Sequence, residues 1–209
     1  MKSQDILLLL KLVSLHGRNK HRLENSSVID LKAKWREINR SDPSKSLKLD
    51  SFESAFSVRA LALQTGISKS QVSLSLNRCF DIGLAKQDRK LMLPKANSKA
   101  LVEFIGYGLR YVFPAKRGVV TRGIATSIAA PVLLGQIMTS GDLPPVWPDA
   151  LGSVKGVSIE PLHKNIRKAV DNDIVLYAML ALTDSIRIGS SRERSLALKK
   201  LNTLIKELE

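Results

Sequence analysis

Cysteine is almost absent from this sequence, since Cys79 is the only one in 209 residues. A single cysteine cannot form a disulfide within the chain, and it excludes a zinc site built from several cysteines. Cys79 falls on the inner side of a predicted helix, where cysteine packs as a small apolar residue. We therefore expect a buried thiol in a reducing compartment, with a reactive thiol as the alternative.

The sequence also lacks the motifs of the common enzyme and metal sites. Its three histidines, His16, His21 and His163, have no partner at a ligand spacing such as that of HExxH. No nucleophile elbow, Walker loop or dinucleotide-binding glycine motif occurs. Residues 171–173 lack the glycine and the terminal glutamate of a calcium loop and are typical of a helix cap. We therefore expect no enzymatic activity, no metal and no cofactor.

Long apolar runs are missing as well. The run at residues 6–10 is far shorter than the ~20 residues that a bilayer requires. Asp5 and Lys11 bracket this run, and no small-residue cleavage site follows it. Residues 3–16 are therefore predicted to form a helix that ends at Gly17, rather than a signal peptide. We expect a cytoplasmic protein with no membrane partner.

Basic residues, in contrast, are abundant. The chain has 33 Lys and Arg against 19 Asp and Glu, for a net charge of +14. Such an excess indicates a polyanionic partner, either nucleic acid or an anionic membrane surface. Aromatic residues make up only 5% of the chain, which argues against the stacking platforms that bind single-stranded RNA. The length fits one large domain or two small ones.

Residues 57–94 carry the clearest local pattern. Ser57 and Ser68 are suited to begin two helices, because a serine oxygen accepts hydrogen bonds from the free amides of a first turn. Gly66 is placed in the turn between the helices and Gly83 at the end of the second, where glycine tolerates left-handed backbone. The inward positions at helical spacing are Val58, Leu61, Ala62 and Thr65, then Val72, Ser75, Leu76 and Cys79.

Ala62, Gly66 and Val72 resemble the anchor positions of a helix-turn-helix, at spacings of four and six residues. Residues 81–85 and 89–93 are similar to the link and hairpin of a winged-helix domain, as in MarR-like bacterial transcription regulators. The resemblance implies a DNA-binding protein whose second motif helix enters the major groove. It also implies that the helix at residues 3–16 packs across the motif.

The expected DNA contacts follow from this resemblance. A recognition helix over residues 68–80 presents its outward side chains to base edges, and wing cations reach the backbone or the minor groove. Glutamine and asparagine can pair with adenine, whereas Lys69 and Arg78 suit phosphate or guanine. The predicted contacts are Lys69, Ser70, Gln71, Ser73, Leu74, Asn77 and Arg78 in the helix, and Lys86, Arg89 and Lys90 in the wing. A solvated polar face is the alternative interpretation of the serines.

Residues 17–56 form an unusually long spacer and are interpreted as an insertion. A basic cluster there is either a phosphate contact or a solvated turn. Its members are Arg18, Lys20, His21 and Arg22. A further helix is predicted over residues 27–39, with Trp35 on its apolar stripe.

The remaining residues predict helices with a short hairpin. A helix over residues 95–113 contains Gly106 and Gly108, which disfavour an unbroken helix. A short helix at residues 131–138 is predicted behind a Ser127 cap, followed by a hairpin at residues 146–159. Two helices end the pattern, at residues 173–188 and 191–208, and Ser190 with Glu193 resembles a capping box for the second.

Taken together, these patterns predict a mainly α fold with small β: a winged helix-turn-helix domain at residues 1–94 and a mostly helical domain at residues 95–209. Residues 108–114, 146–148 and 160–162 resemble a C-terminal region of MarR-like bacterial proteins, which implies dimerisation, effector binding or partner docking. We expect a homodimeric, sequence-specific regulator that binds double-stranded DNA. The alternative is an antitoxin-like or adaptor protein that binds a partner protein encoded nearby and regulates its own transcription.

Overall fold

The computed structural model describes residues 1–19, 31, 33–35, 51–136, 143–171 and 173–209. Most of the predicted insertion, including Lys20, His21 and Arg22, and most of the predicted helix at residues 27–39 lie outside these ranges. Leu31 and Trp35 from that helix are described, and both are helical and buried. The described chain is mainly helical with a small β component, which confirms the predicted fold class at that level.

Eight α-helices and five strands lie wholly within the described ranges. The helices are α1 (Ser3–Asn19), α2 (Val58–Thr65), α3 (Lys69–Asp81), α4 (Ser98–Glu103), α5 (Leu109–Val112), α6 (Ile166–Val170), α7 (Ile174–Ile188) and α8 (Ser191–Leu208). The strands are β1 (Ala85–Gln87), β2 (Pro94–Ala96), β3 (Arg117–Ala125), β4 (Pro145–Pro148) and β5 (Val154–Ile159). Within the described ranges, no helix has the length and apolar character to cross a membrane.

Helices α2 and α3 begin and end where their capping residues predict. The Ser57 hydroxyl accepts a hydrogen bond from the Ala60 amide at 3.2 Å, and the Ser68 hydroxyl caps α3 in the same way. Gly66 closes α2 with a φ of +73°, a left-handed conformation that costs glycine little. Residues 66–68 therefore turn the chain from α2 into α3.

A two-stranded hairpin follows α3. Strands β1 and β2 pair antiparallel, with Ala85 opposite Ala96 and Gln87 opposite Pro94. Gly83, at a φ of +73°, connects α3 to the hairpin, and residues 88–93 form its tip. Asn97 then caps α4, so the hairpin lies between α3 and α4 in the chain.

Helix α1 is the most deeply buried part of the first half. The side chains of residues 6–10 are fully buried, and α1 packs against α3, β2, α7 and α8. The prediction that Gly17 ends the helix was wrong, because α1 continues to Asn19. Leu208 of α8 lies where a Gly17 side chain would stand, so glycine permits a close helix contact that offsets its poor helix propensity.

The helix predicted at residues 95–113 is present over residues 98–112, and its glycines distort the helix without breaking it. Helix α4 passes into a π-helical turn at Phe104–Gly108, and α5 ends at Val112, ahead of Pro114. A Cβ on Gly106 would lie 2.9 Å from the Leu198 side chain of α8. The glycine therefore allows this segment to approach α8 closely.

The β3–β5 region differs most from the prediction. Strand β3 was not predicted, and the short helix expected at residues 131–138 is absent from the described residues 131–136, which form turns. The predicted hairpin at residues 146–159 is also wrong. Strands β4 and β5 both pair antiparallel with β3, and they pair with each other in parallel. Gly123 and Gly152 allow two backbone segments to come into close contact here, since a Cβ on Gly152 would overlap the Gly123 backbone.

Helices α7 and α8 end the described chain as predicted. Asp173 is the N-cap of α7, and Ser190 and Glu193 form the predicted capping box of α8. One apolar core contains side chains from α1, α2 and α3 together with side chains from α7 and α8. The division into domains at residue 94 therefore stays a prediction, and the two parts share a core.

Candidate nucleic-acid interface

Helix α3 has one buried and one exposed face. Val72, Ser75, Leu76 and Cys79 are buried against the core. The predicted contacts that lie on the exposed face are Lys69, Ser70, Ser73, Leu74 and Asn77. The helix therefore presents two serine hydroxyls and the Asn77 amide, together with the apolar Leu74 side chain and a lysine in its first turn.

Gln71 lies at the edge of that surface. It is half-buried, and its Oε1 accepts a hydrogen bond from Gln4 Nε2 at 3.1 Å. The same Gln4 nitrogen lies 3.1 Å from the Ser75 hydroxyl. These bonds tie the start of α1 to α3 and fix the orientation of the Gln71 amide.

Arg78 contacts α1 instead of facing outward with the other predicted residues. Its guanidinium donates to both carboxylate oxygens of Asp5, at 2.7 and 3.1 Å, and also to the Ser75 hydroxyl. The Asp5 side chain is fully buried. Burial raises its pKa, but hydrogen bonds from Arg78 and from the Lys2 amide outweigh this and lower the pKa of the carboxyl overall. The structure thus uses Arg78 to hold α3 against α1.

The hairpin adds a second set of cations beside α3. Lys86, Arg89 and Lys90 are all exposed. The hairpin tip is organised by Asp88, whose Oδ1 accepts hydrogen bonds from the amides of Lys90 and Leu91 at 2.9 and 3.0 Å. These two bonds lower the pKa of Asp88. The cations of the tip therefore stand on a turn with a defined conformation.

The turn between α2 and α3 is held from the other half of the chain. Asn165 Nδ2 donates to the Gly66 carbonyl at 2.8 Å, and a Cβ on Gly66 would meet the Asn165 side chain. No local pattern predicts this contact, because the two residues are 99 positions apart. It joins the turn ahead of α3 to the segment that precedes α6.

Two buried aspartates were not identified from the sequence as charged sites. Asp173 accepts from Lys11 at 2.8 Å and from Ser14 at 2.7 Å, and Arg18 lies 3.3 Å away. Burial raises the pKa of Asp173, but the charges of Lys11 and Arg18 outweigh it and hold the pKa well below its usual range. Arg18, which was predicted as a phosphate contact or a turn residue, thus belongs to this network.

Asp184 forms a similar network around β4. It accepts hydrogen bonds from the Trp147 indole and from Thr126, and Arg187 donates to it at 2.7 Å. Arg187 also donates to the carbonyls of Phe113 and Glu160, at 2.9 and 3.1 Å. Burial raises the pKa of Asp184 despite these partners, unlike that of Asp173, and both aspartates join elements of the fold.

The described residues give little support for a reactive thiol or a metal site. Burial raises the pKa of Cys79 to about 12, in line with the predicted packing role. In the part of the chain that the structure describes, no group of three or more His, Cys, Asp or Glu side chains could hold a metal ion. Comparison with known proteins found no match to a family model, a curated protein or a solved structure.

Proposed function

We propose that this protein is a sequence-specific regulator that binds double-stranded DNA through a winged helix-turn-helix formed by α2, α3 and the β1–β2 hairpin. The observation that carries the proposal is the exposed polar face of α3 beside the cationic hairpin, in a chain with a net charge of +14. A helix with this face fits the major groove of B-DNA, whose base edges offer donors and acceptors. The excess positive charge matches the phosphate backbone.

The residues divide by role in this proposal. Asn77 and Gln71 pair with base edges, and the serines accept or donate as the sequence requires. Lys69, at the start of α3, contacts a phosphate or a guanine. Lys86, Arg89 and Lys90 neutralise the backbone beside the minor groove. Arg78 acts indirectly, because its ion pair with Asp5 sets the angle of α3 on the core.

A cytoplasmic homodimer completes the proposal. Two recognition helices would then read half-sites about one helical turn, ~34–36 Å, apart. A dimer requires an exposed apolar surface, and the α4–α5 segment offers one. Tyr107 and Tyr111 are 73% and 75% exposed, and Val112 beside them is 52% exposed.

The experiment begins with selection of bound duplexes from random DNA, followed by mobility-shift titration of the selected site. Asn77→Ala should relax the sequence preference, at a cost of ~1–3 kcal/mol on the preferred site. Arg89→Ala should weaken binding to all sequences alike and reduce the salt dependence by about one phosphate contact. Arg192→Ala, an exposed arginine on α8, is the matched control and should bind as the unaltered protein does. Failure to select any duplex over random DNA would refute the proposal.

The exposed Tyr107–Tyr111 surface also favours a second candidate function, the antitoxin-like or adaptor role. In that case the surface binds a different protein, encoded nearby, and the winged helix serves autoregulation. Co-expression with the neighbouring gene product followed by size-exclusion chromatography separates the two. A homodimer that Tyr111→Glu dissociates supports self-association, whereas a hetero-complex that the same change dissociates supports the second function.

A further inference from the structure

The tip of the β1–β2 hairpin exposes two large apolar side chains between its cations and its second strand. Met92 is 63% exposed and Leu91 is 39% exposed. Arg89 and Lys90 precede them directly in the chain and are also exposed. The tip therefore exposes two apolar side chains directly after two positively charged ones.

The Met92 backbone makes this exposure more unusual. Its φ is +53°, a left-handed conformation that is uncommon for residues other than Gly, Asn and Asp. Such a conformation disfavours a residue with a Cβ, and glycine would adopt it without this cost. Because the Met92 side chain is mostly exposed, packing within the chain does not repay the cost.

Hydrogen bonds hold Met92 in this position. Its amide donates to the Asp88 carbonyl at 2.9 Å, and its carbonyl accepts from the Gln87 side chain at 3.2 Å. The Asp88 carboxylate binds the amides of Lys90 and Leu91 on the other side of the tip. The turn is thus built to project Met92 outward with little freedom of backbone movement.

We propose that Met92, with Leu91 beside it, is an apolar wedge that enters the minor groove of bound DNA and partly unstacks one base step. This inference rests on the proposed function. Methionine and leucine are among the side chains that architectural proteins insert between base steps, which kinks the duplex. Arg89 and Lys90 neutralise the phosphates on either side of the opened step, and pyrimidine–purine steps deform most easily.

The test places aminopurine, whose fluorescence rises when it is unstacked, at successive positions flanking the selected site. The unaltered protein should raise the fluorescence at one flanking step on each half-site. Met92→Gly should lose this rise at saturating protein, and Met92→Leu should retain it. In urea denaturation, Met92→Gly should unfold at a higher midpoint, because glycine relieves the left-handed backbone. A residue with only a structural role would not combine lost DNA distortion with gained stability.

Arg89→Ala is the control that separates charge from the wedge. It should need more protein to reach saturation yet give the same fluorescence rise once saturated. If the unaltered protein binds its selected site with no rise at any position, the wedge is refuted and the proposed function stands. An equal rise with Met92→Gly also refutes the wedge. If no duplex is bound over random DNA, the proposed function fails and the wedge fails with it.

Discussion

The exposed cations around α3 and the hairpin tip contrast with the two buried aspartates of the C-terminal half. Around α3 and the hairpin tip, cations such as Lys69, Arg89 and Lys90 stand exposed. In the C-terminal half, Asp173 and Asp184 are buried and bonded to cations of the same chain. The difference teaches where to look for a partner: buried charges are already satisfied by the fold, whereas the exposed cations remain available to an external anion.

The largest test of this comparison removes one side of a buried pair. Asp173→Ala leaves Lys11 buried without its carboxylate and also removes the cap of α7. We expect the free energy of unfolding to fall by about 3–5 kcal/mol, measured by urea denaturation.

The matched control for that change is Asp171→Ala. Asp171 pairs with Arg167 at 3.2 Å, but both side chains are partly exposed. Surface pairs contribute ~0–1 kcal/mol, so this change should alter stability little. Similar losses for the two variants would contradict the distinction between buried and exposed charge.

A smaller loss is expected at the second buried aspartate. Trp147→Phe keeps most of the ring packing and removes the indole N–H that donates to Asp184. A hydrogen bond to a charged group is worth ~1.5–3 kcal/mol, so unfolding in urea should shift by about that amount. A loss below ~0.5 kcal/mol would show that Thr126 and Arg187 satisfy Asp184 without the indole.

In the exposed region the expected effects on stability are smaller still. Ser68→Ala removes the cap of α3 and should cost ~1 kcal/mol. Ser70→Ala, two residues further on the exposed face, should stay within ~0.5 kcal/mol. The same pair also tests the proposed DNA contact. Ser70→Ala should weaken DNA binding in a mobility-shift titration while the midpoint of urea denaturation stays almost unchanged. Equal stability losses for both would contradict the capping role.

The last prediction concerns pH and the loop that holds the α2–α3 turn. Burial, and then the charge of Lys164, lower the pKa of His163, whose Nδ1 accepts a hydrogen bond from the Asn165 amide at 3.3 Å. A lowered pKa in the folded protein favours the neutral ring, so this stability is complete above about pH 6.5 and is lost as the pH falls toward the folded pKa. Between about pH 7.5 and about pH 5.5, the urea midpoint should fall less steeply for His163→Gln than for the unaltered protein. An unchanged slope would exclude His163 as its source.

The sequence predicted best what is decided locally. Ser57, Ser68 and the Ser190–Glu193 box act within one helical turn, so their neighbours in the chain suffice to identify them. The π-helical turn at Phe104–Gly108 lies where the glycines lower helix propensity, which is also a local effect. Among the site residues, five of the outward positions of α3 and all three hairpin cations are exposed, as the helical spacing and the hairpin pattern indicate.

The errors share a different cause, since each depends on residues far away in the chain. Strand β3 has no clear alternation of apolar and polar residues, and Val119 and Val120 in its first half are both exposed. The strand forms through its pairing with β4 and β5. Arg78 looked free for DNA because its partner Asp5 lies 73 residues earlier. A helical face predicted from spacing alone cannot show which outward residues another element will cover.

The hydrogen bond between Asn165 and Gly66 has a further consequence for the whole molecule. It connects the turn ahead of α3 directly to the C-terminal half of the chain. Under the proposed function, a partner that bound the C-terminal half and moved Asn165 would change the free energy of that turn, and with it the affinity of α3 for DNA. Thermodynamic reciprocity then requires that occupancy of α3 change the affinity for that partner by the same factor.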